Sequence, residues 1–126
     1  KKLFPDAHET LEYLHRTYNL YVITNGFNDV QFTKLKNSDL DKYFLKVFTS
    51  EDAGAQKPNP TILEHALNNV NADKKESIMI GDDLKVDILG AKEFGLDQVF
   101  FNPLKKEHAE EITHEINSLK ELQNIL

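Results

Sequence analysis

The 126-residue chain has no cysteine, so disulfides, thiolate nucleophiles and cysteine-ligated zinc are excluded. It has no excess of basic residues either. Fifteen Lys and Arg against 21 Asp and Glu leave a net charge of −6, which disfavours nonspecific binding to nucleic acid or to an anionic membrane, yet leaves room for a local cation or phosphate site. Its apolar runs never exceed the length of a strand, and the charged Lys1-Lys2 leads into no long apolar region. Neither a membrane span nor a signal peptide is therefore expected, and the cytoplasm is the expected location. None of the five histidines, His8, His15, His65, His108 and His114, stands in the His-x-x-x-His spacing of a zinc site. All are assigned to the surface. No internal repeat, low-complexity tract or linker interrupts the chain. What remains is 40% apolar and 29% charged, ordinary for a globular domain, and long enough to bury one core.

Hydrophobic periodicity divides this chain into alternating elements. Ala7, Leu11, Leu14 and Tyr18 fall at helical spacing over residues 6–18. The short β-branched run at 20–24 reads as a buried strand that stops at the turn residues Asn25-Gly26. Val30, Phe32 and Leu35 suggest a helix over 28–37, capped by Asn28 or Asp29. Residues 46–50 read as a second strand and 50–54 as a loop. Asn59 can cap a helix whose first position holds Pro60, where no amide hydrogen is needed, and that helix is expected to run to about Asn69. A third strand at 77–80 leads into a helix from about Asp83 to Phe94, which Gly95 can end in a left-handed conformation. Residues 99–101 form the fourth strand, 112–116 a short edge strand, and 118–126 a closing helix with its apolar side on the sheet. Strands alternating with helices imply right-handed parallel crossovers and an α/β fold with an open parallel sheet. Phe32, Tyr43, Phe44, Phe94, Phe100 and Phe101 are expected to serve the core rather than to stack on a base.

Open parallel sheets bind ligands beyond the carboxyl ends of their strands, and three polar clusters fall there. After the first strand, the Thr24 hydroxyl can donate to a phosphate oxygen, and Gly26 lets backbone amides approach closely; the alternative is a plain turn. Lys57, fixed before Pro58, can offset charge on a phosphoryl group, or it can be a solvated surface lysine. The third cluster, Asp82, Asp83 and Asp87, follows a buried strand. Magnesium prefers hard oxygen ligands and commonly takes one or two carboxylates while keeping waters, which suits Asp82 at the strand end. Asp87, one helical turn past Asp83, can reach the same cleft. The competing reading makes Asp83 a helix cap and Asp87 a complement to the helix dipole.

Thr24, Lys57-Pro58 and Gly81-Asp82-Asp83-Leu84-x-x-Asp87-Ile88-x-Gly90-Ala91, in that order, resemble the second to fourth motifs of the haloacid dehalogenase-like hydrolases, mostly magnesium-dependent phosphatases. More narrowly, Thr24-Asn25-Gly26-Phe27, Val30-Gln31, Lys34-Leu35, Ser50-Glu51-Asp52, Gln56-Lys57-Pro58 and Phe101-Asn102-Pro103 resemble the pyrimidine 5′-nucleotidase branch, which dephosphorylates nucleoside monophosphates. The resemblance implies a Rossmann-like three-layer α/β/α fold. Thr24, Asn25, Gly26 and Lys57 would bind phosphate, Thr24 and Lys57 would be catalytic, Asp82 would ligate Mg2+ directly, and Asp87 would act from the second shell on metal-bound water or on Lys57. Many relatives carry Ser where Asp83 stands.

The family's first motif, Asp-x-Asp at the end of an N-terminal strand, is missing from these residues. There the first Asp forms the aspartyl-phosphate and the second acts as general acid and base. Asp6 cannot replace them, because Asp6-Ala7-His8 lacks the partner acid and follows only Leu3, Phe4 and Pro5. The substrate-selecting cap domain is missing as well. Residues 1–126 thus read as the C-terminal part of the core domain of a longer protein, inactive alone. The absent central strand would lie between the strands at 20–24 and 77–80. Without it the two must pair directly, or a second molecule must fill the gap, so self-association through that gap is a possible outcome. The expected substrate is a small phosphomonoester, with no nucleic acid or membrane partner. Two rivals stand beside this reading. A phosphoacceptor receiver domain would place its acids before the Thr and its Lys last, opposite to the order here. A noncatalytic domain could keep the scaffold and lose turnover.

Overall fold

The computed structural model describes residues 6–25 and 39–126. The helix expected over 28–37, together with Gly26, Phe27 and Phe32, lies outside them. The described chain carries five short strands, all paired in parallel: β1 (Tyr21–Thr24), β2 (Lys46–Thr49), β3 (Ile78–Gly81), β4 (Asp97–Phe101) and β5 (His114–Ile116). They form two sheets, β1-β2 and β3-β4-β5. In the first, Tyr21 lies opposite Lys46 and Thr24 opposite Thr49. In the second, Ile78 pairs with Asp97 and Gly81 with Phe100, while Val99 pairs with His114 and Phe101 with Ile116.

The helices are α1 (Ala7–His15), α2 (Ser50–Ala53), α3 (Pro60–Val70), α4 (Gly90–Phe94) and α5 (Leu122–Ile125). A π-helical turn at Leu84–Leu89 runs into α4, with both Asp87 and Ile88 donating their amides to the Asp83 carbonyl. Because side chains alternate along a strand, β3 sends Ile78 and Ile80 to one face and Met79 to the other. The first face packs Leu14 of α1 and Leu122 of α5 with Val99, Phe101 and Ile116. The second packs Ile62 and Leu63 of α3 and Ala91 of α4 with Met79 and Leu96. The result is the expected three-layer α/β/α arrangement. Ile62, Ile88 and Val99 are completely buried, and truncating one of them to Ala is expected to cost about 2–5 kcal/mol.

The strands that flank β1 and β3, namely β2 and β4, are the more buried ones. Val47, Phe48 and Thr49 of β2 and residues 98–101 of β4 are buried, whereas all four residues of β1 and three of the four in β3 are half-buried. The Leu20 carbonyl accepts from the Leu45 amide on the β2 side, so alternation turns the Tyr21 and Ile23 carbonyls away from β2. Both β1 and β3 thus have one edge without a strand partner among the described residues, as the sequence anticipates when a central strand is missing.

Several local expectations change. Asp6 is left-handed, with φ 67°, and its carboxylate accepts no capping hydrogen bond; α1 begins at Ala7 and ends at His15 rather than at Tyr18. Residues 50–53 are a helical turn and not a loop, because the Thr49 hydroxyl accepts from the Asp52 amide at 3.3 Å. The histidines are not all at the surface: only His15 is exposed, and His8, His65, His108 and His114 are half-buried. His8, His65 and His108 pack edge-on against Tyr43, Phe48 and Phe100. No helix among the described residues is long and apolar enough to cross a membrane.

Candidate active site

Three chain segments meet where β1 and β3 end. Thr24 closes β1 and is half-buried, and Asn25 follows it. The Asn25 side chain brackets the backbone of a residue 32 positions away: its Oδ1 accepts from the Lys57 amide at 2.7 Å, and its Nδ2 donates to the Lys57 carbonyl at 3.2 Å. The Ser50 hydroxyl at the end of β2 donates to the Asn25 carbonyl at 3.1 Å. Beyond Lys57 the loop is pinned by α3, whose first turn Asn59 caps by accepting from the Thr61 amide at 2.9 Å. The Lys57-Pro58 peptide bond is cis. An amide side chain and a helix cap therefore hold the loop from both ends.

Lys57 reaches inward from this loop. Its Nζ donates to the Ile23 carbonyl at 3.1 Å, on the edge of β1 that has no strand partner among the described residues, and to Asp87 Oδ1 at 2.5 Å. The Lys57 and Asp87 side chains are 13% and 9% exposed, so this ion pair is shielded from water and is unlike a surface pair of negligible worth. An ammonium has three N–H donors. Two are engaged among the described residues, and the third remains for an anion at the strand ends.

The β3 side is built around Gly81. A Cβ there would lie 2.5 Å from Asp87 Cβ and Oδ2, a separation no real carbon tolerates, so only glycine lets the Asp87 carboxylate lie across the strand end. Asp87 Oδ2 accepts from the Asp83 amide at 3.3 Å. Asp83 in turn caps the helical turn, with its Oδ1 accepting from the Val86 amide at 2.9 Å. Both oxygens of Asp87 are thus in use, one on Lys57 and one on the turn that carries Asp82 and Asp83. Asp82 is exposed at the strand end, and its carboxylate has no partner among the described residues.

This donor set fits a hard cation that takes few protein ligands. Asp82 offers an unengaged carboxylate, and magnesium accepts one or two such groups while keeping several waters. The described residues contain no cluster of three or more candidate ligands, so the fit is to a sparsely ligated ion and not to a closed protein cage. Of the residues singled out in the sequence, Lys57, Asn25 and Asp87 are joined by direct bonds, and Thr24 and Asp82 sit next to bonded residues. Gly26 lies outside the described residues. Sequence reasoning missed the Ile23 carbonyl, the Ser50 hydroxyl, and the spaces left by Gly81 and Gly90. Ser50 could have been found from its place at the carboxyl end of a strand. A groove of about 500 Å3 between Leu67, Asn71, Lys74 and Phe94 lies at the far end of α3 and α4, remote from Lys57.

Open parallel sheets take ligands beyond the carboxyl ends of their strands, and Asn25, Lys57, Asp82 and Asp87 stand at that edge. The family model of the haloacid dehalogenase-like hydrolases matches residues 1–101, and the chain belongs to that family. It is 35% identical over 128 residues to the HAD-hydrolase YfnB of Bacillus subtilis, covering 99% of this chain and 54% of YfnB. The magnesium-bound crystal structure of YfnB superposes with a TM-score of 0.92 at 33% identity, over 98% of this chain and 55% of that one. The ribulose-1,5-bisphosphate 5-phosphatase of Halopiger xanaduensis is 34% identical over 98% of this chain and 56% of its own length. The pyrimidine 5′-nucleotidase PynA of Streptococcus pneumoniae is 36% identical over 95% of this chain and 52% of its own length. The chain thus spans about half the length of the curated relatives it matches.

Proposed function

We infer that these 126 residues supply the phosphate-holding and metal-holding half of a magnesium-dependent phosphomonoester hydrolase acting on nucleoside monophosphates. The observation that carries this reading is the shielded Lys57, held between the Ile23 carbonyl and Asp87 with one N–H left over. The Thr24 hydroxyl and the spare Lys57 N–H would bind the phosphoryl oxygens. Asp87 aims the ammonium, and Asn25 holds the loop that carries it. Asp82 would hold magnesium directly, with Asp87 acting from behind through Lys57. When bound, magnesium would screen the negative charge of the phosphate. An aspartate outside these residues would attack phosphorus: its O–P bond forms as the bond to the leaving oxygen breaks, a second acid there gives that oxygen its proton, and the same group then takes a proton from the water that cleaves the aspartyl-phosphate to phosphate and free aspartate. The half-buried strands on either side of the gap support the view that a further strand, and with it the nucleophile, belongs to the same core domain.

The similarity to PynA favours a pyrimidine nucleotide. The nearly equal identity to the ribulose-1,5-bisphosphate 5-phosphatase supports a sugar phosphate as the second reading. The test uses the longer protein with p-nitrophenyl phosphate and magnesium. Lys57→Ala and Asp82→Asn should each lower kcat by roughly 10²-fold or more, the scale of losing a positioned charge-stabilising group. A near-normal rate from either removes that residue from the mechanism. A higher kcat/KM for uridine monophosphate than for ribulose 1,5-bisphosphate supports the nucleotide reading, and the reverse order replaces it with the second. The isolated 126 residues should show no turnover above buffer.

A further inference from the structure

We propose that Gly90 is a positioning residue for Lys57, setting the distance between the Lys57-Pro58 loop and the helix that carries Asp87. The importance of this to catalysis rests on the reading above, in which Lys57 neutralises the phosphoryl group; the geometry itself does not. Asp87 and Gly90 are three residues apart and so share one helical face. Lys57 and Pro58 are consecutive on the facing loop. The two segments therefore touch at two rungs: Asp87 Oδ1 with Lys57 Nζ at 2.5 Å, and Gly90 with Pro58. A Cβ at position 90 would lie 3.0 Å from Pro58 Cβ, 3.3 Å from its Cα and 3.4 Å from its carbonyl oxygen.

Gly90 has φ −61° and ψ −45°, ordinary right-handed helix that any residue adopts. Its backbone thus gives no reason for a glycine, and glycine weakens a helix relative to alanine. The reason lies in packing. Gly90 is buried beneath Pro58, which is itself exposed. Any added Cβ would push the proline outward by a few tenths of an ångström. The loop cannot absorb that movement freely, because Asn25 grips the Lys57 backbone on one side and Asn59 caps α3 on the other. The displacement passes to Lys57, the residue joined to Pro58, and so to its bonds with Asp87 and Ile23. Gly81 limits the other side of the same pair by leaving the space that Asp87 fills. Two missing side chains, one on β3 and one on α4, thus fix where the ammonium stands.

Competitive acylation of the longer protein with N-acetoxysuccinimide, read lysine by lysine by mass spectrometry, tests this without reference to activity. Exposed Lys105 and Lys120 serve as internal references. In Gly90→Ala, Lys57 should be labelled about tenfold faster relative to those references, the factor expected when one charge-assisted hydrogen bond is lost. A helix-packing role alone would leave that ratio unchanged. If Gly90→Ala fails to fold, every lysine labels alike and Pro58→Gly, which removes the other half of the contact without adding bulk, decides by the same ratio. A Lys57 ratio equal to that of the wild type in the folded variant overturns the proposal. Loss of the catalytic reading would show separately, as retained turnover in Lys57→Ala of the longer protein.

Discussion

Removing one member of the Lys57–Asp87 pair should destabilise the chain more than removing both. In Asp87→Asn the side-chain volume stays, but the ammonium, only 13% exposed, keeps the Ile23 carbonyl as its one full-strength partner among the described residues. Loss of a charge-assisted hydrogen bond costs about 1.5–3 kcal/mol, and breaking a buried pair runs to about 3–5 kcal/mol. Lys57 sits at a strand end from which its flexible stem can turn toward water, so about 2–3 kcal/mol is expected. Lys57→Met strands the Asp87 carboxylate, 9% exposed, beside the like-charged Asp82 and Asp83, with only the Asp83 amide at 3.3 Å to satisfy it; about 3 kcal/mol is expected. The double variant leaves a neutral amide and a thioether in the same space and should cost no more than about 2 kcal/mol. Urea unfolding of the four proteins reads the coupling directly. With slopes of about 1–3 kcal/mol per molar, each single change should lower the midpoint by about 1 M or more. Single effects that add to within about 0.5 kcal/mol in the double variant would refute the claim that the two groups form one shielded unit.

Gly81→Ala should cost about 1–3 kcal/mol by overpacking and should raise the acylation rate of Lys57, since the new methyl would displace Asp87; a neutral effect would mean that Asp87 does not lie across the strand end. Glu115 is held below the usual carboxylate range, chiefly by Asn102 donating to its Oε2 at 2.9 Å and next by His108 at 2.7 Å from its Oε1. A lowered folded-state pKa gives stability that is present above the unfolded value and is lost as pH falls through the folded one. The stability difference between wild type and Glu115→Gln should therefore shrink on acidification through the carboxylate range, and a constant difference would contradict the assignment. Asn59→Ala should cost about 1 kcal/mol through loss of the α3 cap, read as a lower melting temperature; an unchanged melting temperature would contradict the cap.

Elements set by nearby residues were legible in the sequence. Asn59 and Pro60 announce the start of α3, and Gly95, with φ 100°, ends α4 as its lack of a side chain allows. The four principal strands stand out as short apolar runs. Asp83 proved to be a cap, the reading that needs only the residue three positions on. What escaped depends on partners distant in the chain or on backbone atoms. No periodicity reveals that the Asn25 amide would spend both its polar ends on Lys57 and so hold a loop in place. Nor does residue type disclose that the Lys57 ammonium would find the Ile23 carbonyl at the end of β1. The helical turn at Ser50–Ala53 was hidden because its cap, Thr49, is also a fully buried strand residue. His8, His65 and His108 were misplaced because helical or loop surroundings were weighed and the packing of their rings on distant aromatics was not.

The central claim is that Thr24, Lys57 and Asp82 border a single cation and phosphate site. Manganese, added as a paramagnetic stand-in for magnesium while amide resonances of the chain are recorded, tests it most directly. The amides of Thr24, Lys57, Asp82 and Asp83 should broaden together at the lowest concentrations, ahead of Asn71 and Lys74 at the far end of the strands. Broadening at Asp82 that leaves Thr24 and Lys57 as sharp as Asn71 would contradict it.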